Sequence, residues 1–192
     1  MISSEFVDEQ DEYHWIEAAR RGNPRAFAVL AEHYWPSIHR WLWGLTGSAH
    51  AADDLTQETF LKAWQMIART RPDTNLRAWL YRIARNSFCD SHRKRQDGQL
   101  GKSLEGQSGR ERDPADSLLD AEADELLQHA CERLPVGLRA AFLLRAQEGL
   151  SFCEIGIALG VAADTARWRV FKARRMLLKQ LGPWLEREEQ DS

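Results

Sequence analysis

The sequence contains little cysteine and no long apolar segment. Its three cysteines, Cys89, Cys131 and Cys153, lie far apart and form no Cys-x-x-Cys pair. An odd number of scattered cysteines favours small buried thiols in a reducing cytoplasm over a disulfide framework or a metal site. No apolar run approaches the roughly 18 residues that cross a bilayer, and no signal peptide is recognisable. The sequence therefore predicts a cytoplasmic protein.

Catalytic motifs are missing as well. The sequence has no P-loop, no His-Glu-x-x-His and no Gly-x-Ser-x-Gly, and no carboxylate pair is flanked by a plausible pocket. His92 belongs to no recognisable set of metal ligands and is most simply a surface residue. These absences argue against an enzyme and against a small-molecule substrate, and they predict neither a cofactor nor a metal.

What the sequence does contain is a strong segregation of charge. The chain has 192 residues and a net charge of only −3. Its acidic residues collect at both ends and in the middle, whereas arginine and lysine collect in two segments with helical periodicity. Because DNA binding depends on the local patch rather than on the total charge, nucleic-acid binding stays open.

The segment 149–178 has the pattern of a helix-turn-helix. Ser151 followed by Glu154 forms a capping box, and Gly160 supplies a turn without a Cβ clash. The second helix has an apolar stripe at Ala166, Val170, Ala173 and Leu177. Its other face is rich in cations and long side chains: Asp164, Thr165, Arg167, Trp168, Phe171, Lys172 and Arg175. Such a face favours a DNA-reading helix.

An ordinary helical hairpin with a solvated basic face is the alternative to this interpretation. Ala162 stands where the second helix should begin and cannot cap it. Asp164 or Thr165 must then support the helix start through the helix dipole.

The first half of the chain predicts four helices, over residues 12–21, 24–45, 49–68 and 76–95. The third has a core stripe at Ala52, Leu55, Thr59, Ala63 and Ile67, and other faces that carry Asp53, Asp54, Gln57, Glu58 and Leu61. By the residues alone, solvation is the simpler interpretation of these faces.

The fourth helix combines basic and aromatic side chains outside its apolar stripe. These residues are Arg77, Tyr81, Arg82, Arg85, Asn86, His92, Arg93, Lys94 and Arg95. Guanidinium groups that bind phosphates, together with rings that stack on bases, suit single-stranded or opened nucleic acid.

The segment 96–117 has no helical period and is rich in Gly, Ser, Gln, Arg and Asp, which predicts a flexible linker. At about 3.3 Å per residue it can span roughly 70 Å. The fold prediction is therefore all-α, with two small helical domains, 1–95 and 118–192, joined by this linker.

Three motifs in this order resemble the extracytoplasmic-function (group IV) sigma factors of the sigma-70 family. They are Ala52–Trp64 (ADDLTQETFLKAW), Leu76–Arg95 and Leu138–Leu177. The resemblance implies a sigma region 2 bundle over 1–95 and a region 4 helix-turn-helix over 118–192. It implies a non-catalytic factor that binds core RNA polymerase, reads promoter DNA as duplex and as melted single strand, and is held by an anti-sigma protein, commonly a membrane-anchored one. In that case the chain is in the cytoplasm, at the nucleoid when bound to polymerase or at the inner membrane when held by that protein.

The resemblance also implies residue roles. Core polymerase would be bound by Asp53, Asp54, Gln57, Glu58 and Leu61, in place of plain solvation. The minus-ten element would be bound through the loop 68–75 and the next helix by Arg71, Asn75, Arg77, Tyr81, Arg82, Arg85, Asn86 and Arg93. The minus-thirty-five element would be bound in the major groove by Asp164, Thr165, Arg167, Trp168, Arg169, Lys172 and Arg175.

Some residues depart from the family pattern. Trp168 and Asp164 stand where the family usually has small residues, and Ala162 replaces a Ser cap. Asp164 could accept a hydrogen bond from a cytosine amino group or could only support the helix start. Two other functions remain open, a free-standing helix-turn-helix regulator and an adaptor that binds only proteins.

Overall fold

The computed structural model describes residues 9–71, 73–99 and 126–188, and all regular secondary structure in these ranges is helical. The helices are α1 Glu9–Arg20, α2 Pro24–Thr46, α3 Ala49–Ile67, α4 Leu76–Gln99, α5 with described residues 126–132, α6 Val136–Ala146, α7 Phe152–Leu159 and α8 Ala163–Glu188. The all-α prediction is confirmed. No described helix is both long and apolar enough to cross a membrane.

The chain divides into two compact units. The first comprises Met1–Leu42 and His50–Gly106, and the second comprises Trp43–Ala49 and Gln107–Ser192. The domain limits expected at residues 95 and 118 stay a prediction. One local correction concerns the linker: α4 continues to Gln99, so residues 96–99 are helical rather than irregular. The rest of the expected linker lies outside the described residues.

The core of the first unit is formed by the apolar faces of α2, α3 and α4. Trp41 of α2 is fully buried and contacts the ring of Tyr81 of α4 edge-on, with ring centroids 5.4 Å apart. The predicted α3 stripe at Ala52, Leu55, Thr59, Ala63 and Ile67 is buried throughout. Thr59 is accommodated there because its hydroxyl donates to the Leu55 carbonyl at 2.7 Å. These contacts fix which faces of α3 and α4 remain exposed.

The second unit is built around α8, which packs against α6 and α7. The predicted stripe of α8 is buried at all four positions, Ala166, Val170, Ala173 and Leu177. Ala173 and Leu177 share a core cluster with Ala130, Cys131, Leu134 and Leu138. Burial raises the pKa of the Cys131 thiol above its ordinary value, which keeps it protonated and unreactive.

Candidate nucleic-acid interface

The helix-turn-helix predicted from the sequence is present in α7 and α8. The Ser151 hydroxyl accepts from the Glu154 amide at 3.2 Å, and the Ser151 amide donates to the Glu154 carboxylate at 2.8 Å. Gly160 ends α7 in the left-handed region, with φ of 62°. That conformation is costly for residues with a Cβ, so glycine is the suitable residue here.

A second glycine, Gly156, allows the close approach of the turn to α7. A Cβ at this position would lie 2.8 Å from the carbonyl oxygen of Val161, a backbone atom of the turn. The Val161 amide also donates to the Gly156 carbonyl at 2.9 Å. Sequence reasoning missed this residue, because a glycine within a helix gives no sign of what packs against it.

The capping box predicts a measurable contribution to stability. Ser151→Ala should lower the free energy of unfolding by about 1 kcal/mol, because the Glu154 amide loses its acceptor. Ser151→Asp should retain most of the stability, since aspartate also caps and is favoured by the helix dipole. Urea unfolding followed by circular dichroism measures both, and equal losses in the two variants would contradict a capping role.

The outer face of α8 presents most of the residues expected to read duplex DNA. Asp164, Thr165, Arg167, Trp168 and Arg175 are exposed, and Lys172 is half-buried with its ammonium over the Trp168 ring. Arg169 is placed differently. It is half-buried, and its guanidinium lies beside Gly137 of α6, 3.6 Å from where a Cβ of Gly137 would be. Arg169 therefore flanks the exposed face instead of standing at its centre.

An aromatic ring of α7 holds one of these cations. The guanidinium carbons of Arg167 and Arg145 lie 5.3 Å and 5.1 Å from the ring centroid of Phe152. The Phe171 ring is 6.3 Å away on α8. Arg167 also lies 3.9 Å from Asp164. The Phe152 ring thus limits the positions that the Arg167 guanidinium can adopt. The sequence did not indicate this contact, because the two residues belong to different helices.

The basic face of α4 is present, with one correction. Arg82, Asn86 and Arg93 are exposed at helical spacing, and Arg85 is half-buried, its guanidinium donating to the side-chain oxygen of Asn86 at 3.4 Å. The expectation that Tyr81 faces a partner is wrong, since its side chain is fully buried against Trp41. The apolar face of α4 is wider than one stripe, and Tyr81 lies within it.

The loop between α3 and α4 is anchored at both ends. Asn75 caps α4, with its side-chain oxygen accepting from the Ala78 amide at 2.8 Å. At the other end, Arg20 of α1 donates to the Thr70 carbonyl at 2.7 Å and pairs with Glu17. The exposed Arg71 lies 3.6 Å from Asp73. Arg20 was missed because 50 residues separate it from Thr70.

Arg77 belongs to a small polar cluster beside this loop. It is half-buried, and its charge acts on Tyr34, whose hydroxyl donates to Glu12 of α1. Burial and the Glu12 carboxylate raise the pKa of Tyr34 far above its ordinary value, and the charge of Arg77 opposes that rise. Tyr34 therefore stays protonated and keeps donating to Glu12. Arg77 is in part a structural cation, unlike the exposed Arg82.

The polar face of α3 carries all five residues expected to bind polymerase. Asp53, Asp54, Gln57 and Leu61 are exposed, and Glu58 is half-buried. The carboxylates have neighbours on the same unit: Asp53 lies 3.0 Å from His39 and Asp54 lies 3.6 Å from His50.

Glu58 is held in place by a lysine. Its carboxylate lies 2.6 Å from the Lys62 ammonium, which donates in turn to the Ser87 hydroxyl of α4 at 3.0 Å. The pair is partly exposed, so it contributes little to stability and mainly restricts the Glu58 side chain. Over the part of the chain that the structure describes, no group of histidine, cysteine and acidic residues could hold a metal ion.

Comparisons with known proteins agree with this arrangement. The family model for sigma-70 region 2 matches residues 30–97, and the model for sigma-70 region 4 matches residues 124–177. The chain is 31% identical to the RNA polymerase sigma-H factor of Pseudomonas aeruginosa, over 94% of this chain and 98% of that protein. It is 35% identical to the ECF RNA polymerase sigma factor EcfG of Rhodopseudomonas palustris, over 74% of this chain and 77% of that protein.

A solved structure is similar as well. The sigma factor RpoE of Bartonella quintana, crystallised in complex with the anti-sigma factor NepR, superimposes with a TM-score of 0.65 and 27% identity. The match covers 80% of this chain and 93% of that one.

Proposed function

Because this chain belongs to the sigma-70 family of RNA polymerase sigma factors, in its extracytoplasmic-function group, we propose that its two expected domains divide promoter recognition between them. The first, over residues 1–95, binds core polymerase and the melted minus-ten element. The second, expected over residues 118–192, reads the minus-thirty-five element as duplex. One observation carries this proposal: the acidic-amide face of α3 and the basic face of α8 are both exposed, and each lies in a matched region.

Core polymerase binds the α3 face, with Glu58 pre-oriented by Lys62. Asp53, Asp54 and Gln57 add exposed polar groups, and Leu61, with 65% of its surface exposed, adds an apolar contact.

The melted minus-ten strand is held by the loop 68–75 and the exposed side of α4. Arg82, Arg85, Asn86 and Arg93 supply phosphate and base contacts, and Arg71 and Asn75 line the loop. Tyr81 is not part of this proposal because it is buried. Unstacking a flipped base costs a few kcal/mol. Binding of that base in the pocket, together with about 1–3 kcal/mol for each base stacked on a ring, must offset this cost.

The factor has no catalytic activity of its own, because initiation chemistry belongs to the polymerase. It uses neither cofactor nor metal and acts in the cytoplasm. The Bartonella relative is bound to an anti-sigma factor, and we extend an anti-sigma partner to this chain. A membrane-anchored partner would hold it at the inner membrane until release.

In vitro transcription with purified core polymerase tests the proposed function. Start sites should appear on a genomic library only when this protein is added, and each should have a minus-ten and a minus-thirty-five element. A free-standing helix-turn-helix regulator would instead bind a two-fold symmetric duplex site without polymerase. Absence of a complex with core polymerase on a sizing column would contradict the proposal.

The basic face of α8 predicts a steep salt dependence of promoter binding by the holoenzyme. Each phosphate contacted contributes about −0.9 to the slope of log K against log salt. Arg167→Ala and Lys172→Ala should each make the slope shallower by about one unit if the side chain contacts a phosphate. Arg133→Ala is the matched control, an exposed arginine of the same unit outside α8. A slope near zero for the wild-type holoenzyme would contradict the DNA-binding roles.

A further inference from the structure

Trp168 is a large apolar side chain on the exposed basic face of α8. The residue has 56% of its surface exposed, and the Lys172 ammonium lies 4.6 Å from its ring centroid. Arg167 and Arg175 are exposed on the same helix. One face of the indole is therefore covered by a cation, and the rest of the ring is open.

An exposed apolar side chain by itself needs no explanation. Trp168 differs in its setting, because Lys172 lies over its ring and further exposed cations on the same helix favour a polyanionic partner. The other exposed ring of this face, Phe171, is already engaged near Phe152, which packs between Arg145 and Arg167. Phe171 still has 58% of its surface exposed, so Trp168, at 56%, is the larger of two apolar groups that an incoming duplex meets on this face.

The major groove offers one common apolar group, the C5-methyl group of thymine. Lysine donors suit phosphate oxygens or the acceptors of guanine, so Lys172 does not compete for that methyl group. Indole presents a large apolar surface, and Lys172 limits the orientations that the ring can adopt.

We propose that Trp168 is a specificity-determining residue that contacts the methyl group of a thymine in the minus-thirty-five element. The proposal rests on the function proposed above, since it requires α8 to enter the major groove. It commits to duplex DNA as the occupant of this surface rather than to a partner protein.

Replacing thymine by deoxyuridine removes only the methyl group and gives the direct test. Each thymine of the minus-thirty-five element, on either strand, is replaced in turn in a promoter found by in vitro transcription. Wild-type holoenzyme should bind about fourfold more weakly when one particular thymine is replaced, the effect of one buried methyl group. Replacement at the other positions should have smaller effects.

Trp168→Ala should remove this sensitivity, so that thymine and deoxyuridine promoters bind equally. Trp168→Phe should retain part of it. Leu178→Ala is the matched control, because Leu178 is apolar, lies on the same helix and is 55% exposed. That variant should keep the full wild-type discrimination.

Three results would overturn the inference while leaving the proposed function intact. The first is a minus-thirty-five element with no uracil-sensitive thymine. The second is the same sensitivity in Trp168→Ala as in wild type. The third is that Trp168→Ala loses only binding to an anti-sigma protein. If promoter binding by the holoenzyme did not depend on the minus-thirty-five sequence at all, the proposed function of α8 would be wrong. The inference about Trp168 would then be wrong as well.

Discussion

Reversing the charge at Glu58 should abolish transcription by the holoenzyme. Glu58→Arg places a cation in the proposed polymerase contact and next to Lys62, whose ammonium lies 2.6 Å from the native carboxylate. Removing one partner of an interfacial charge pair costs about 2–5 kcal/mol, so affinity for core polymerase should fall roughly 30-fold or more. Competition binding to purified core polymerase and in vitro transcription measure the loss.

Glu32→Arg is the matched control, because Glu32 is an exposed carboxylate on α2 of the same unit. It should leave polymerase binding within about twofold of wild type. The Glu58 variant itself should remain folded, since partly exposed helix pairs contribute only about 0.3–0.5 kcal/mol. If Glu58→Arg bound core polymerase as tightly as wild type, α3 would not be part of the polymerase interface. That result would favour the free-standing regulator.

Adding one methyl group at Gly156 should disrupt the helix-turn-helix. Glycine to alanine within a helix normally stabilises by about 1 kcal/mol. Here the new Cβ would lie 2.8 Å from the Val161 carbonyl oxygen and 3.4 Å from the Ala163 amide, so the backbone of the turn must move. Overpacking costs about 1–3 kcal/mol, and we take the upper end because the obstacle is backbone. The loss of about 3 kcal/mol outweighs the normal gain of about 1 kcal/mol, so Gly156→Ala should lower the free energy of unfolding by about 2 kcal/mol net, measured by urea denaturation.

The shifted turn should also impair promoter binding, because it sets the angle at which α8 leaves α7. Gly137→Ala makes the same change in a helix of the same unit, where the nearest atom is a flexible arginine end at 3.6 Å. This control should be neutral or stabilising by up to about 1 kcal/mol. If both variants gained stability, the turn would accommodate a Cβ at position 156 at little cost. The close approach of Val161 would then not explain why this residue is glycine.

The sequence predicted the helices well because their signals are local. Periodic apolar residues placed the buried stripes of α3 and α8, and the Ser151 and Glu154 pair placed the start of α7. Each signal acts over three or four residues, so no knowledge of the tertiary structure was needed. The end of α4 was placed four residues early, because a polar composition does not stop a helix that is already formed.

Contacts between helices could not be predicted in the same way. Tyr81 was assigned to the surface because it lies outside the apolar stripe predicted for α4, and only the packing of Trp41 from α2 shows that this side is interior. The same holds for Arg20 against Thr70 and for Lys62 against Ser87, pairs that are distant in sequence.

The sequence by itself therefore determined the all-α class, the order of the motifs, the capped helix-turn-helix and the family. Local periodicity and capping depend only on residues that are close to each other in the sequence, so both can be recognised without the structure. The tertiary structure decided which members of each polar face are available to a partner. It buried Tyr81, placed Arg169 beside α6 and held Arg167 on the Phe152 ring, because such contacts depend on side chains brought together from separate helices.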